Sequence, residues 1–308
     1  MNIRERIVEF IKTLPSVKSV KAYGSSIAYQ SGYKANEKKQ VDLIVVVDDI
    51  KKFYEENLVK NKYMYKFTPK LYFKHSSSKK LKSAAGICYT TNIDYKEDTY
   101  KMGVIEKEDV LCDLLNWKTF YIAGRFQKEM FTAVEDKEIE EANEKNKKNA
   151  LTIALILLNK ENPTLLDLYE TICSLSYMGD SRKSFKAEDP NKIKKLASGS
   201  KEHFDREYTN KTNLYKVVDD ERIVVDYKKV FKELKNVPSA LYEDIKNATN
   251  NNINNENIEL IRNAIKEYLT KIIKSSSLGQ TKKGIFTTGP KNSITYAIAK
   301  LKKGRKKK

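Results

Sequence analysis

Tyr23-Gly24-Ser25-Ser26 lies at the end of one apolar, β-branched segment, and Asp42 opens the next such segment 16 residues after Ser26. A glycine lets the backbone turn closely around a phosphate, and the serine hydroxyls and amides beyond it can hold phosphate oxygens. A carboxylate on an adjacent strand can hold the magnesium that accompanies a nucleoside triphosphate. Each feature also has a plain structural use, since Gly-Ser is a common turn and an aspartate can cap a strand. Paired acids for such an ion usually read Asp-x-Asp, because a period of two puts both on one face of a strand. Position 44 is Ile44. Asp48 has the right parity, yet six residues of straight strand would put it ~20 Å from Asp42. Either the strand ends early and folds back at Asp48-Asp49, or the second acid comes from Asp94, Glu97, Asp98 or Glu106.

The elements that must position these residues are legible from periodicity. Ile3, Ile7, Phe10, Ile11 and Leu14 recur at helical spacing up to Pro15. Val17 to Tyr23 and Val41 to Val47 predict strands, the second a run buried on both faces. Ile50 to Val59 predicts a helix, and Ala84 to Thr90 and Tyr100 to Ile105 predict two further strands around a charged turn. Gly24-Ser25 on one strand with Asp42 on the next is the layout of a polymerase-β-like nucleotidyltransferase domain. Beyond Glu108 the pattern turns helical: Asp109 to Arg125, Asp136 to Leu158, a helix opened by Pro163 at its first position, and another after Pro190. Leu214 to Tyr227 predicts two short strands around a DDER turn, so helices plus a hairpin suggest a winged-helix-like domain. An Asn-rich loop, Asn247 to Asn257, precedes a helix over Glu256 to Lys274. The expected fold is therefore an α/β domain over 1–125, a mostly helical, winged-helix-like domain over 126–275, and a basic C-terminal segment over 276–308.

Charge narrows the partners. The 308 residues carry 59 Lys and Arg against 41 Asp and Glu, a formal +18, which asks for an anionic partner. Twelve of those charges fall between Tyr268 and Lys308, where there is no acid. There Ile294, Ala297, Ile298 and Leu301 share one helical side with lysines around them, the pattern of a helix lying on anionic lipid. The presumed wing carries Asp219, Asp220, Glu221 and Asp226 against Lys216 and Arg222, which disfavours nucleic acid as the partner. Three cysteines far apart exclude a thiolate zinc site or a disulfide framework. The longest apolar run, Leu151 to Leu158, is too short to cross a bilayer. The N-terminus enters a helix directly, unlike a signal or transit peptide, so the expected place is cytoplasmic, peripheral on the inner face of the cell membrane.

Seven blocks in collinear order, YGS, VDLIVVVDD, NLVKNKYMYKF, KMGVI, DLLNWKTFYIAGRFQK, SLSYMGDSR and QTKKGIFTTGPKNSITYAIAK, resemble the mitochondrial-type CDP-diacylglycerol synthases, the translocator assembly and maintenance protein family. The resemblance runs from about Val20 to Lys300. It implies a peripheral, magnesium-dependent phosphatidate cytidylyltransferase with CTP and phosphatidate as substrates. Eukaryotic family members work on the matrix side of the mitochondrial inner membrane. By position it puts Tyr23, Gly24 and Ser25 at the nucleotide, Asp42 at the metal and Asp48 in the family's acidic strand end. Lys101, Asp113, Trp117, Arg125, Gln127, Lys128, Tyr177, Asp180, Arg182, Lys283 and Lys291 fall in matching blocks. The chain departs from the family at Asp49-Ile50, Phe53-Tyr54 and Met64-Tyr65-Lys66, where Asp-Pro, Trp-His and His-Tyr-Ser are usual. With only His75 and His203 in the chain, no histidine base is expected.

The expected assignments follow. Asp42, Lys101 and Asp48 are the catalytic candidates, with Asp42 and Asp48 as the metal pair. Tyr23, Gly24, Ser25, Ser26, Arg125, Lys128, Asp180 and Arg182 fall to CTP. Lys283, Lys291, Lys300 and Lys302 fall to phosphatidate and the membrane. KGIFTTGPKNS, Lys283 to Ser293, lacks Walker spacing but has the composition of a backbone that approaches phosphate closely. Trp117 and Tyr121 are expected in the core. The rival is a nucleic-acid-directed nucleotidyltransferase, and a homo-oligomer stays open.

Overall fold

A computed structural model describes residues 1–27, 40–65, 70–179, 191–209 and 211–288. Five strands form one mixed sheet in the order β3-β4-β2-β1-β5. Helix α1 (Ile3–Ile11) leads in, begun by an Asn2–Glu5 capping box, and buries Ile7, Phe10 and Ile11. β1 (Ser19–Tyr23) and β2 (Val41–Val47) run antiparallel, so that Tyr23 pairs with Asp42. Asp49 then caps α2 (Ile50–Lys60) by accepting from Lys52 N at 2.9 Å. The chain therefore does not fold back at Asp48-Asp49.

Two short helices, α3 (Lys70–His75) and α4 (Ser78–Leu81), lead to the hairpin of β3 (Cys88–Tyr95) and β4 (Asp98–Glu106). β4 lies parallel to β2 with Lys101 opposite Asp42. The helix expected over Asp109 to Arg125 is broken. α5 (Lys107–Asn116) ends at Trp117, which takes a left-handed conformation, and α6 (Ala123–Phe126) resumes after a loop. β5 (Phe131–Val134), which periodicity did not reveal, adds an edge strand beside β1.

α7 (Lys137–Leu157), capped by Asp136, is the long helix of the second half. α8 (Leu165–Leu175) starts from a Thr164–Asp167 capping box, so Pro163 precedes the cap and is not the first helical residue. α9 (Lys192–Gly199), α10 (Lys201–Phe204), a π-turn at Asp205–Thr209 and the hairpin β6 (Tyr215–Val217) and β7 (Ile223–Val225) follow. The hairpin stands where the sequence predicts it. α11 (Tyr227–Glu233) and α12 (Ser239–Ala248) precede α13, which runs unbroken from Ile258 to Thr288. The expected boundary at 275/276 thus falls inside one helix. That at 125/126 falls inside α6, with a strand of the sheet still to come.

Alternation on β2 divides the core. Val41, Leu43, Val45 and Val47 join Phe10, Phe53 and Tyr54 on one face, whereas Ile44 and Val46 join Trp117, Phe120 and the apolar face of α7 on the other. Asp42 shares the parity of Ile44 and Val46, so it lies on the face that the helices cover.

Candidate active site

Three residues in register across β1, β2 and β4 start the site: Tyr23, Asp42 and Lys101. Their side chains share one face because each strand's odd-even choice agrees there. Lys101 Nζ stands 3.3 Å from Asp42 Oδ1, and both side chains are about three-quarters buried, 23% and 28% exposed. Gly24 follows Tyr23 with φ +85°, a conformation costly for any residue with a Cβ. A methyl there would stand 3.3 Å from Asp42 Oδ2. The chain then turns, with Ile27 N donating to Gly24 O at 3.0 Å. Ser26 Oγ is buried with no hydrogen-bond partner among the described residues. A buried hydroxyl without a partner beside a left-handed glycine suits a bound anion.

The neighbouring wall is aromatic and cationic. Gly103, opposite Tyr89 across the β3–β4 pair, has no side chain because a Cβ would come within 2.5 Å of the Tyr89 ring. That space seats the ring 4.5 Å under the Lys101 ammonium. Tyr121 OH donates to Tyr89 OH at 3.3 Å, and Arg125 stacks on Tyr121 at 3.8 Å and reaches the Tyr23 ring at 5.8 Å. Burial pushes the Tyr89 phenol well above its ordinary value, so it stays neutral. For Arg125 burial works against the charge, but Tyr121, Tyr89 and Tyr23 outweigh it and hold the guanidinium above its usual value.

Asp113 builds this wall from behind. It is 3% exposed, and its Oδ1 accepts from Thr119 N (2.7 Å), Thr119 Oγ1 (2.9 Å) and Phe120 N (2.9 Å). Its Oδ2 accepts from Ile122 N (2.8 Å) and Ala123 N (3.0 Å). One carboxylate thereby folds the loop carrying Tyr121 and starts the helix carrying Arg125. Trp117 and Asn146 brace the same loop through a 2.9 Å bond between Trp117 Nε1 and Asn146 Oδ1.

The expected residues do not all gather. Asp48 is at the far end of a regular β2, 70% exposed and paired with Lys18 at 3.0 Å, so it cannot share an ion with Asp42. The other candidate acids are engaged too: Asp98 with Arg6 (2.7 Å), Glu97 with Arg6 (3.1 Å), Glu106 with Lys82 (2.5 Å), and Asp94 accepting from Thr99 (3.0 Å). Lys128 reaches the second half, bonding Gly124 O (2.8 Å) and Ser176 Oγ (2.6 Å) beside Tyr177. Lys283 is a correction. The segment Lys283 to Thr288 is helical, and the ammonium is buried, donating to the carbonyls of Leu81, Ser83 and Ile87. Burial lowers its pKa. It ties α13 to the loop before β3 and presents no charge to lipid. Asp180, Arg182, Lys291, Lys300 and Lys302 lie outside the described residues. Trp117 is core as expected, and Tyr121 packs partly buried against the same core, which also holds Tyr89 beneath the Lys101 ammonium. Gly103, too small for any strand's own packing, was the signal for Tyr89.

Among the described residues no group of three or more His, Cys, Asp or Glu comes together that could hold a metal. Among the described residues the carboxylate beside the Gly24 turn is that of Asp42. Magnesium bound with a nucleotide needs only one or two carboxylates, the phosphates and water supplying the rest. Asp42 beside the Gly24 turn meets that minimum.

The sequence family described as "Phosphatidate cytidylyltransferase, mitochondrial" matches residues 7–303. The protein of that name from Schizosaccharomyces pombe is 31% identical, over 92% of this chain and 79% of its own. Those of Xenopus laevis (31%, covering 91% and 88%) and Danio rerio (30%, covering 92% and 89%) are similar at the same level. All three are named mitochondrial, and nothing among them supports the expected place on the inner face of a bacterial-type cell membrane. Among the described residues no helix is long and apolar enough to cross a membrane. A family match over nearly the whole length, together with relatives about 30% identical over more than nine-tenths of the chain, places this chain in the mitochondrial phosphatidate cytidylyltransferase family.

Proposed function

We propose that the chain transfers a cytidylyl group from CTP to phosphatidate, giving CDP-diacylglycerol and pyrophosphate. The observation that carries this reading is the in-register Tyr23–Asp42–Lys101 row beside the left-handed Gly24, in a chain of this family. A phosphatidate oxygen attacks the α-phosphorus of CTP, and the bond to the β-phosphate oxygen breaks. The attacking phosphate is already ionised near neutrality, so the reaction needs alignment and charge neutralisation more than a base. Gly24, Ser25 and Ser26 cradle phosphate through backbone and hydroxyls, and Lys101 and Arg125 neutralise oxygens. Magnesium, held by Asp42 and the triphosphate, would supply further charge neutralisation.

The same reading takes the five-stranded sheet as a polymerase-β-like domain and the later helices with the β6–β7 hairpin as winged-helix-like. Strand order and the acidic hairpin support it. It also brings the basic C-terminal segment to an anionic mitochondrial membrane surface, where phosphatidate resides.

The test is pyrophosphate release from purified protein with CTP, magnesium and phosphatidate in mixed micelles. Release should require phosphatidate, and Asp42→Asn should lower it by at least ~10²-fold while the melting curve is kept. Release independent of phosphatidate, or an active Asp42→Asn, would refute the reading.

A further inference from the structure

Two-ion phosphoryl-transfer centres hold their cations roughly 3.5–4 Å apart between shared carboxylates. Among the described residues, the strand positions next to Asp42 on its face present no second acid to share. The next residue on that face is Ile44, fully buried in the core, and Asp48 is at the other end of the strand with Lys18. The parallel strand beside it, at the position directly opposite Asp42, presents Lys101. Its ammonium lies 3.3 Å from Asp42 Oδ1 and is seated over the Tyr89 ring at 4.5 Å. The place next to Asp42 where a bridging carboxylate would have to stand is taken by a positive charge. A second dication brought there would meet the Lys101 ammonium, on a wall that also carries the Arg125 guanidinium stacked against Tyr121.

We infer that Lys101 takes the place of a second divalent ion, so that the centre binds one cation per nucleotide, and that the inference rests on the cytidylyltransferase reading above. Asp42 and Lys101 together carry no net charge. One dication can be held between the Asp42 carboxylate and the triphosphate, whereas a second would lie against the Lys101 ammonium with no further carboxylate beside Asp42 among the described residues to hold it. The Tyr89 ring and the room left by Gly103 fix the ammonium in advance, so it needs no reorganisation as charge builds on the phosphoryl oxygens.

The experiment counts manganese by electron paramagnetic resonance on the full chain with saturating CTP and no phosphatidate. One manganese per bound CTP is expected. Lys101→Ala should keep that count and the melting curve but lose at least ~10²-fold in phosphatidate-dependent turnover. Lys101→Glu, which supplies the missing carboxylate, should raise the count to two. Two manganese ions per CTP in the unaltered protein, or turnover within twofold in Lys101→Ala, would overturn the inference. A chain that binds CTP and turns over phosphatidate but holds two ions sinks this inference alone. A chain with neither CTP-dependent manganese binding nor phosphatidate-dependent pyrophosphate release overturns the functional reading, and this inference with it.

Discussion

Replacing Asp113 with asparagine isolates what holds the Tyr121–Arg125 wall in place. The carboxylate accepts five hydrogen bonds, three on Oδ1 and two on Oδ2. Asparagine has one acceptor oxygen. If that oxygen stays on the Oδ1 side, the N–H groups of Ile122 and Ala123 lose their partner; if it turns, those of Thr119 and Phe120 do. Either way two buried backbone donors are orphaned, at about 1–3 kcal/mol each. The expected loss is therefore about 2–6 kcal/mol, a fall in melting temperature on the order of 5–20 °C. Phe120 adds to the sensitivity, since its φ of +57° is a conformation the loop must be held in. Calorimetry measures the stability, and steady-state kinetics at a temperature where the variant is still folded measures the rest. KM for CTP should rise, because Arg125 and Tyr121 follow the loop. A fall limited to the folded fraction, with KM unchanged, would confine Asp113 to stability. A melting temperature within about 2 °C of the parent would refute the accounting altogether.

Gly24→Ala should cost about 1–2 kcal/mol for its left-handed backbone and displace Asp42 through the 3.3 Å contact, lowering turnover at least tenfold; turnover within twofold would argue against a close turn at the site. Glu207 is partly buried, which alone would raise its carboxyl, but Lys147 at 2.6 Å and Lys211 at 3.1 Å hold it at about 2. Its folded value lies below the ~4.3 of an unfolded glutamate, so its stabilisation is complete above about pH 5 and disappears as the pH falls toward 2. Glu207→Gln should therefore be less stable near pH 7 and lose less on acidification through that window, and equal acid limbs in urea denaturation would contradict it. Removing Lys302 to Lys308 should weaken binding to vesicles containing phosphatidate, more at low salt than high, with turnover on detergent-dispersed substrate retained; unchanged binding would discard the lipid role of the tail.

Much of the site was readable because its residues are local in sequence. β2 is a seven-residue β-branched run with a charged residue at its second position, and such a run has few other ways to fold. Gly24 announced a turn, and the acidic β6–β7 hairpin announced itself by its DDER sequence. Lys283 misled for a physical reason. Glycine, threonine and lysine in a row read equally as a phosphate loop or as the end of a helix, and only the carbonyls of Leu81, Ser83 and Ile87, about 200 residues away, show which one forms. Asp109 to Arg125 misled likewise: its periodicity is continuous, but Asp113 pulls four backbone N–H groups out of any helix and breaks it.

The amino-acid order alone determined that a glycine-serine turn and a single aspartate would stand on neighbouring strands, since strand propensity and turn chemistry act over a few residues. Whether Asp42 would find another acid depended on which strand came to lie beside it. The register of β2 with β4 decided that, setting Lys101 opposite Asp42, because pairing across some 60 residues of chain is settled by burial of both sheet faces and by no local preference.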